Sequence, residues 1–256
     1  MAEDYEAERR PITPEMIRSC MDPHYRLLKP DEVLELKEVY QNKIRVIGGV
    51  DFGSSNTTPT TVASVNIHYR DSNRYQIAHI EKIPNIHPMD KAKHITELFR
   101  AFGCDFSVGD WGHGQDMIPV IQQGGRDSQD NRFEGLGQSR FQGCRTIGDP
   151  TKPFNEYTEE TNEDGQTELA KITIDKTTTI QAFIDLFGQY VAHPIRPLDE
   201  SLKKPVYIIP SQIDYETDFI IQEWPKLTRV DLENPDEEVE HKKQNVRKEF
   251  SHPSRS

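Results

Sequence analysis

Val46-Ile-Gly-Gly-Val-Asp-Phe-Gly-Ser-Ser55 is the stretch whose reading decides the fold. Its apolar run ends in one carboxylate, Asp51, with a glycine two positions away on either side. A strand covered on both faces reads as such a run, because none of its positions has to meet water. Gly53 and the polar residues after it allow a sharp exit. The expectation is a buried strand over about 45–52 that delivers Asp51 to a sheet edge. An acid there can hold a metal ion, or reach a phosphate through one.

Outward from this stretch, Thr61–Tyr69 and Tyr75–Ile83 alternate in period two around Asp71-Ser-Asn73, which predicts an antiparallel hairpin. His68 and His79 fall on these strands without a partner spacing that suits a metal, and they read as ordinary strand residues. Met89, Ala92, Ile95, Leu98, Phe99 and Phe102 then recur at helical spacing, and Gly103 closes the helix. Cys104-Asp-Phe-Ser-Val-Gly-Asp-Trp-Gly112 is a further short strand ending in a second glycine-flanked acid, Asp110. A helix over 113–122 comes next. A strand–helix–strand crossover makes the first and fourth strands parallel neighbours, so Asp51 and Asp110 are expected at the same end of the sheet. Two close carboxylates repel unless a cation sits between them, and hard divalent ions such as magnesium or manganese meet that need.

Residues 123–170 are polar and rich in turn formers, and read as a long excursion or hairpin. Thr177–Thr179 precede Ile180, Phe183, Ile184, Phe187 and Val191, an amphipathic helix with threonine caps. Val206–Ile209 is a strand stopped by Pro210, residues 215–227 read as helical, and 229–256 is highly charged. Residues 1–43 read as a lead-in with two short helices, the first entered through Thr13 and the second capped by Asp31. Residues 44–256 read as one mixed α/β domain with a five-stranded sheet flanked by helices.

The formal charge is −12, with 34% hydrophobic and 29% charged residues. A free-standing nucleic-acid binder is usually basic, so this balance suits an enzyme that meets phosphates through cations. No run is long enough to span a membrane, and the acidic start is no signal peptide. Cys20, Cys104 and Cys144 are odd in number and widely spaced, as reduced thiols are. The sequence holds no GxxxxGK[ST] phosphate loop.

Val46–Ser55, Phe106–Met117 and the helix at 177–191 together resemble the C-terminal nuclease domain of the large terminase subunit of tailed viruses. That family has a ribonuclease-H-like fold and cuts concatemeric double-stranded viral DNA during genome packaging. Gly49-Val-Asp-Phe-Gly53 matches its first acidic motif and Val108-Gly-Asp-Trp-Gly-His-Gly114 its second. The resemblance therefore implies a two-metal endonuclease using Mg2+ or Mn2+, with Asp51 bridging both ions and Asp110 holding one. It also implies double-stranded DNA as substrate, and a packaging ATPase domain, a portal and a small terminase subunit as partners. The place implied is the host cytoplasm, at the procapsid portal. The resemblance covers about 44–256, and the lead-in is similar to the segment joining the ATPase to the nuclease. One departure stands out. The family's third acidic motif opens a last helix, whereas here no acid comes after Glu249, and His252-Pro-Ser-Arg-Ser256 is similar to the run just before that motif. A third carboxylate is thus expected to be missing and cutting to be weak.

Two other readings start from the same residues. Asp51-Phe-Gly-Ser-Ser-Asn-Thr57 also resembles the first phosphate motif of actin-like, Hsp70-like and sugar-kinase ATPases, and Asp110-Trp-Gly-His-Gly114 their second loop. Those proteins place the second loop in a duplicated domain, which the short spacing between Asp51 and Asp110 does not allow. The other is a non-catalytic domain that positions DNA or contacts a portal.

Overall fold

The computed structural model describes residues 11–53, 61–147, 155–161, 167–191, 204–211, 220 and 224–226. Helix α1 (Pro14–Ser19) starts at Thr13, whose hydroxyl accepts from the Met16 N–H. Strand β1 (Met21–Asp22) and helix α2 (Pro30–Tyr40) come next. The N-cap of α2 is Lys29 rather than Asp31; Pro30 takes the first helical position, and Glu32 reaches back to the Lys29 N–H at 2.8 Å. Proline is pre-set for that position and moves the start of the helix forward.

The centre of the sheet is the expected one. Strands β2 (Ile44–Asp51), β3 (Thr61–Tyr69) and β4 (Arg74–Ile83) form an antiparallel meander. Helix α3 (Pro88–Ala101) crosses over to β5 (Phe106–Asp110), which lies parallel to β2. Gly103, at φ 60°, closes the crossover helix as expected. Short helix α4 (Trp111–Gly114) and α5 (Met117–Gln123) lead to a small hairpin, β6 (Gly124–Arg126) and β7 (Arg132–Glu134).

The polar stretch 123–170 is more ordered than its composition suggests. After the hairpin it returns to the sheet as β8 (Phe141–Ile147), parallel to β5. Strands β9 (Asn155–Thr161) and β10 (Thr167–Asp175) extend the sheet beyond β8. Helix α6 (Lys176–Ile184) begins at Asp175, not at a threonine. The minor pair β11 (Tyr190–Val191) and β12 (Lys204–Pro205) precedes β13 (Tyr207–Pro210). Among the described residues the sheet has nine strands in the order β1-β13-β4-β3-β2-β5-β8-β10-β9. Four of its central strands, β4-β3-β2-β5, are those the sequence predicted; the fifth expected strand, β13, pairs beyond β4, and β8 arises from the stretch read as a polar excursion. The helix expected over 215–227 and the tail from 229 lie largely or wholly outside the described residues.

Alternation along β2 decides which side chains enter which layer. Ile44, Val46, Gly48 and Val50 are buried, while Arg45 and Asp51, on the other face, are exposed. The first set packs on Ile95, Phe99 and Phe102 of the crossover, with Ile118 and Ile121 of α5 and Phe141 of β8. Full burial of one such side chain contributes about 2–3 kcal/mol. Gly48 is required here: a Cβ would come within 2.5 Å of the Ser107 Oγ and 2.9 Å of the Phe99 ring. On the opposite face a second cluster joins α1 to α6 through Ile17, Ile77, Ile184, Phe187 and Tyr207. Phe183 meets the rings of Phe187, Tyr207 and Trp224 edge-on at 5.1–5.3 Å.

The lead-in is tied to the foot of the sheet. Lys37 Nζ donates to the Gly103 carbonyl at 2.5 Å and to Asp105 Oδ1 at 2.8 Å. Asp105 Oδ2 accepts from the Val46 N–H at 2.9 Å, and the Asp105 N–H donates to the Val46 carbonyl. One aspartate thus fastens α2, β2 and the start of β5 together.

Candidate metal centre

The parallel register of β2 and β5 runs Ile47↔Phe106, Gly48↔Ser107, Gly49↔Val108 and Val50↔Gly109. Asp51 and Asp110 each follow directly on the last of these rungs, at the carboxyl ends of neighbouring strands. Paired positions on adjacent strands share a face and lie about 5 Å apart. The structure therefore brings together the two acids singled out in the sequence.

The residues just after each acid set how it is presented. Asp51 is exposed, and its Oδ1 accepts from the Gly53 N–H at 2.9 Å. That return needs the positive φ of Gly53, 64°. Phe52 between them turns inward, is 5% exposed, and belongs to the main core cluster. The apolar anchor and the acid alternate, so core packing fixes where Asp51 emerges. Asp110 is half-buried, and the backbone turns at once into α4; a Cβ on Gly112 would stand 3.3 Å from Asp110 Oδ2.

One neighbour was not legible as such. Cys144 pairs with Asp110 across β5 and β8. Burial pushes its thiol up to about 11, with the nearby Asp110 charge adding to the effect. It is therefore a neutral thiol at neutral pH, beside the acid pair. Asp175 is a third strand-end acid at the same edge. Since Asp110 pairs with Cys144 and Cys144 with Ile172, Asp175 lies two strands across from Asp110 and three residues further along. Two strand spacings alone are about 10 Å, beyond sharing one ion with Asp110. Asp175 is 2% exposed and its Oδ1 caps α6 by accepting from the Thr178 N–H at 2.6 Å. Its Oδ2 is buried with no hydrogen-bond partner among the described residues. The sequence signal for this role was an acid directly before Lys176-Thr-Thr-Thr-Ile180.

Among the described residues no cluster of three or more histidine, cysteine or acidic side chains is arranged to hold a metal. His68 stacks on Tyr75 at 4.5 Å and contacts Asn73, while His79 contacts Glu81. Both therefore have structural partners of their own. Two adjacent carboxylates with one oxygen set held by a backbone amide suit a hard divalent cation as part of a ligand set, which water completes in such sites. His252 lies outside the described residues.

No family model matches this chain, and no curated protein does. Among solved structures it is similar to nuclease domains of phage large terminases. One is the large terminase subunit of bacteriophage Sf6 with calcium, at 14% identity over 44% of this chain and 44% of that one, with a TM-score of 0.27. Another is the large terminase nuclease domain of bacteriophage SPP1 with bound Mn, at 13% identity over 64% of this chain and 93% of that one, with a TM-score of 0.32. The match thus spans less than half the length of the Sf6 protein.

Proposed function

We propose that this chain is a terminase-type nuclease that cleaves double-stranded viral DNA during genome packaging, using Mg2+ or Mn2+ at Asp51 and Asp110. The observation that carries this reading is that Asp51 and Asp110 each follow directly on the last paired rung, Val50↔Gly109, of two adjacent parallel strands, at their carboxyl ends. The matching of both acidic motifs in the sequence supports it. A divalent pair, when bound, neutralises phosphate charge, activates water and stabilises the leaving oxygen. The protein's own share is positional. Asp51 and Asp110 would hold the ions, the Gly53 amide orients one Asp51 oxygen, and Phe52 locks the strand end to the core. In that role the partners are an ATPase domain, the portal and a small terminase subunit, at the procapsid in the host cytoplasm.

The test is plasmid cleavage in manganese by the unaltered chain, Asp51→Ala and Asp110→Ala. Cutting confined to the unaltered chain is expected. Equal cutting by all three would remove the acid pair from the reaction. Calorimetric binding of ATP without metal-dependent cutting would move the reading to the actin-like ATPases. DNA binding with neither activity would leave a positioning domain.

A further inference from the structure

The β6–β7 hairpin stands outside the sheet, against the crossover helix, and its placement is fixed at both ends. At its tip Ser128 donates from N–H and hydroxyl to Asp90, at 2.8 and 2.6 Å, and Lys93 donates to Asp127 at 2.8 Å. Asp127 also accepts from the Gln129 and Asn131 N–H groups, and the Lys93 ammonium holds its carboxyl far below the usual range. At its base Arg100 donates to the carbonyls of Glu134 and Gly135, both at 3.1 Å.

These contacts set the hairpin's direction relative to the acid pair. Asp51 pairs with Val62 on β3, and the adjacent Thr61 pairs with Ile83, so β4 ends at the level of Asp51. Helix α3 begins five residues after Ile83 and runs back to the foot of β5. The hairpin tip is bonded to the first turns of α3, so it sits at the end of the sheet that carries Asp51 and Asp110, on the face opposite the one that Asp51 shares with Val62.

Just below the tip, Arg126 and Arg132 are direct cross-strand partners. Both are exposed, and both line a cavity of about 680 Å³ with Gln122, Gly124, Phe133 and the single carboxylate of Glu134. Like charges directly opposite on a ribbon destabilise it unless an anion bridges them. Arg126 is held by the exposed Asp130 at 3.1 Å, a pairing that water screens and a phosphate can replace. Arg132 makes no ion pair among the described residues. In a chain of formal charge −12, this is a rigidly mounted cationic pair facing an open cavity.

We propose that the hairpin is a DNA-contacting arm, on which Arg126 and Arg132 grip the phosphate backbone of the duplex presented to the acid pair. The proposal rests on the nuclease reading for its substrate. It is tested by anisotropy of a labelled duplex without divalent ions, over a range of salt, on the whole chain. Neutralising Arg132 in Arg132→Gln lowers the slope of log affinity against log salt by about one, and the Arg126→Gln/Arg132→Gln pair lowers it by about two. Arg132→Lys, which keeps the charge, retains the slope. A double variant with the unaltered slope overturns the proposal, as does an unaltered chain that does not bind duplex. Falling slopes without manganese-dependent cutting leave the arm standing and remove the nuclease. Cutting with unmoved slopes does the reverse.

Discussion

Asp51 and Asp175 both end strands at the same edge of one sheet, and their carboxylates are held differently. Asp51 is exposed, and its Oδ1 accepts from the Gly53 N–H in a tight turn, while Asp110 on the next strand is half-buried at the start of α4. Asp175 is buried and leads into a helix, which takes one carboxylate oxygen as its cap. The residue type and the strand end do not decide the role. The next few residues do, because they settle whether the carboxylate meets water or a row of backbone N–H groups. A strand-end acid that a helix consumes is a stability element; one that a turn holds open to water can meet a cation.

That contrast can be broken in three ways, and a fourth measurement tests the frame around it. The largest effect is on cutting: Asp51→Ala lowers manganese-dependent plasmid cleavage by about two orders of magnitude or more, while its Tm stays that of the unaltered chain. Asp175→Ala should do the reverse, and a large loss of cutting per folded molecule would erase the distinction. Next is ligand stabilisation. Manganese at a hundred times its Kd raises unfolding free energy by about 2.7 kcal/mol in the unaltered chain and by much less in Asp51→Ala, read by thermal shift. Third, Asp175→Ala costs about 1 kcal/mol in urea unfolding through loss of the cap, and Asp175→Asn costs clearly less because asparagine also caps.

The smallest effect is a pH dependence remote from all three acids. Glu81 lies between His79, at 3.4 Å, and His94 of α3, at 2.6 Å. The His79 and His94 imidazoles hold its carboxyl down to about 2, and the bond to Glu81 raises His94 above its ordinary 6.5. The stability from Glu81 is present above its ordinary 4.5 and is lost as pH falls toward 2. The stability from His94 is present below 6.5 and is lost as pH rises through its raised value. The tie between β4 and the crossover helix is therefore strongest between pH 4.5 and 6.5. His94→Gln should flatten the alkaline side of Tm against pH; an unchanged slope there would discard the pair as its source.

The central strands were legible because they obey strong rules. β2 is an apolar run, though only one of its faces is fully buried; β3 and β4 alternate, and α3 repeats its apolar face at helical spacing. The strand-end acids were legible for the same reason, since the elements around them fixed the edge. What stayed hidden were β8, β9 and β10. Asn155–Thr161 carries three glutamates and lies at the sheet's outer edge, where charge discourages further pairing and also masks the strand signal. Phe141–Ile147 is interrupted by Gly143, whose missing side chain makes room for Trp111. The role of Asp175 was hidden with β10, because a cap is recognised only once the strand before it is known. Cys144 could be counted from the sequence, but only the register of β8 places it next to Asp110.

The fastening of Lys37, Asp105 and Val46 has a mechanical consequence. Tension arriving along the lead-in enters β2 through the chain itself and the foot of β5 through Lys37, which holds both the Gly103 carbonyl and Asp105, so both strands are loaded from the same end. They are displaced together, like two tines on one handle, and the spacing between Asp51 and Asp110 at the far end is shielded from the pull.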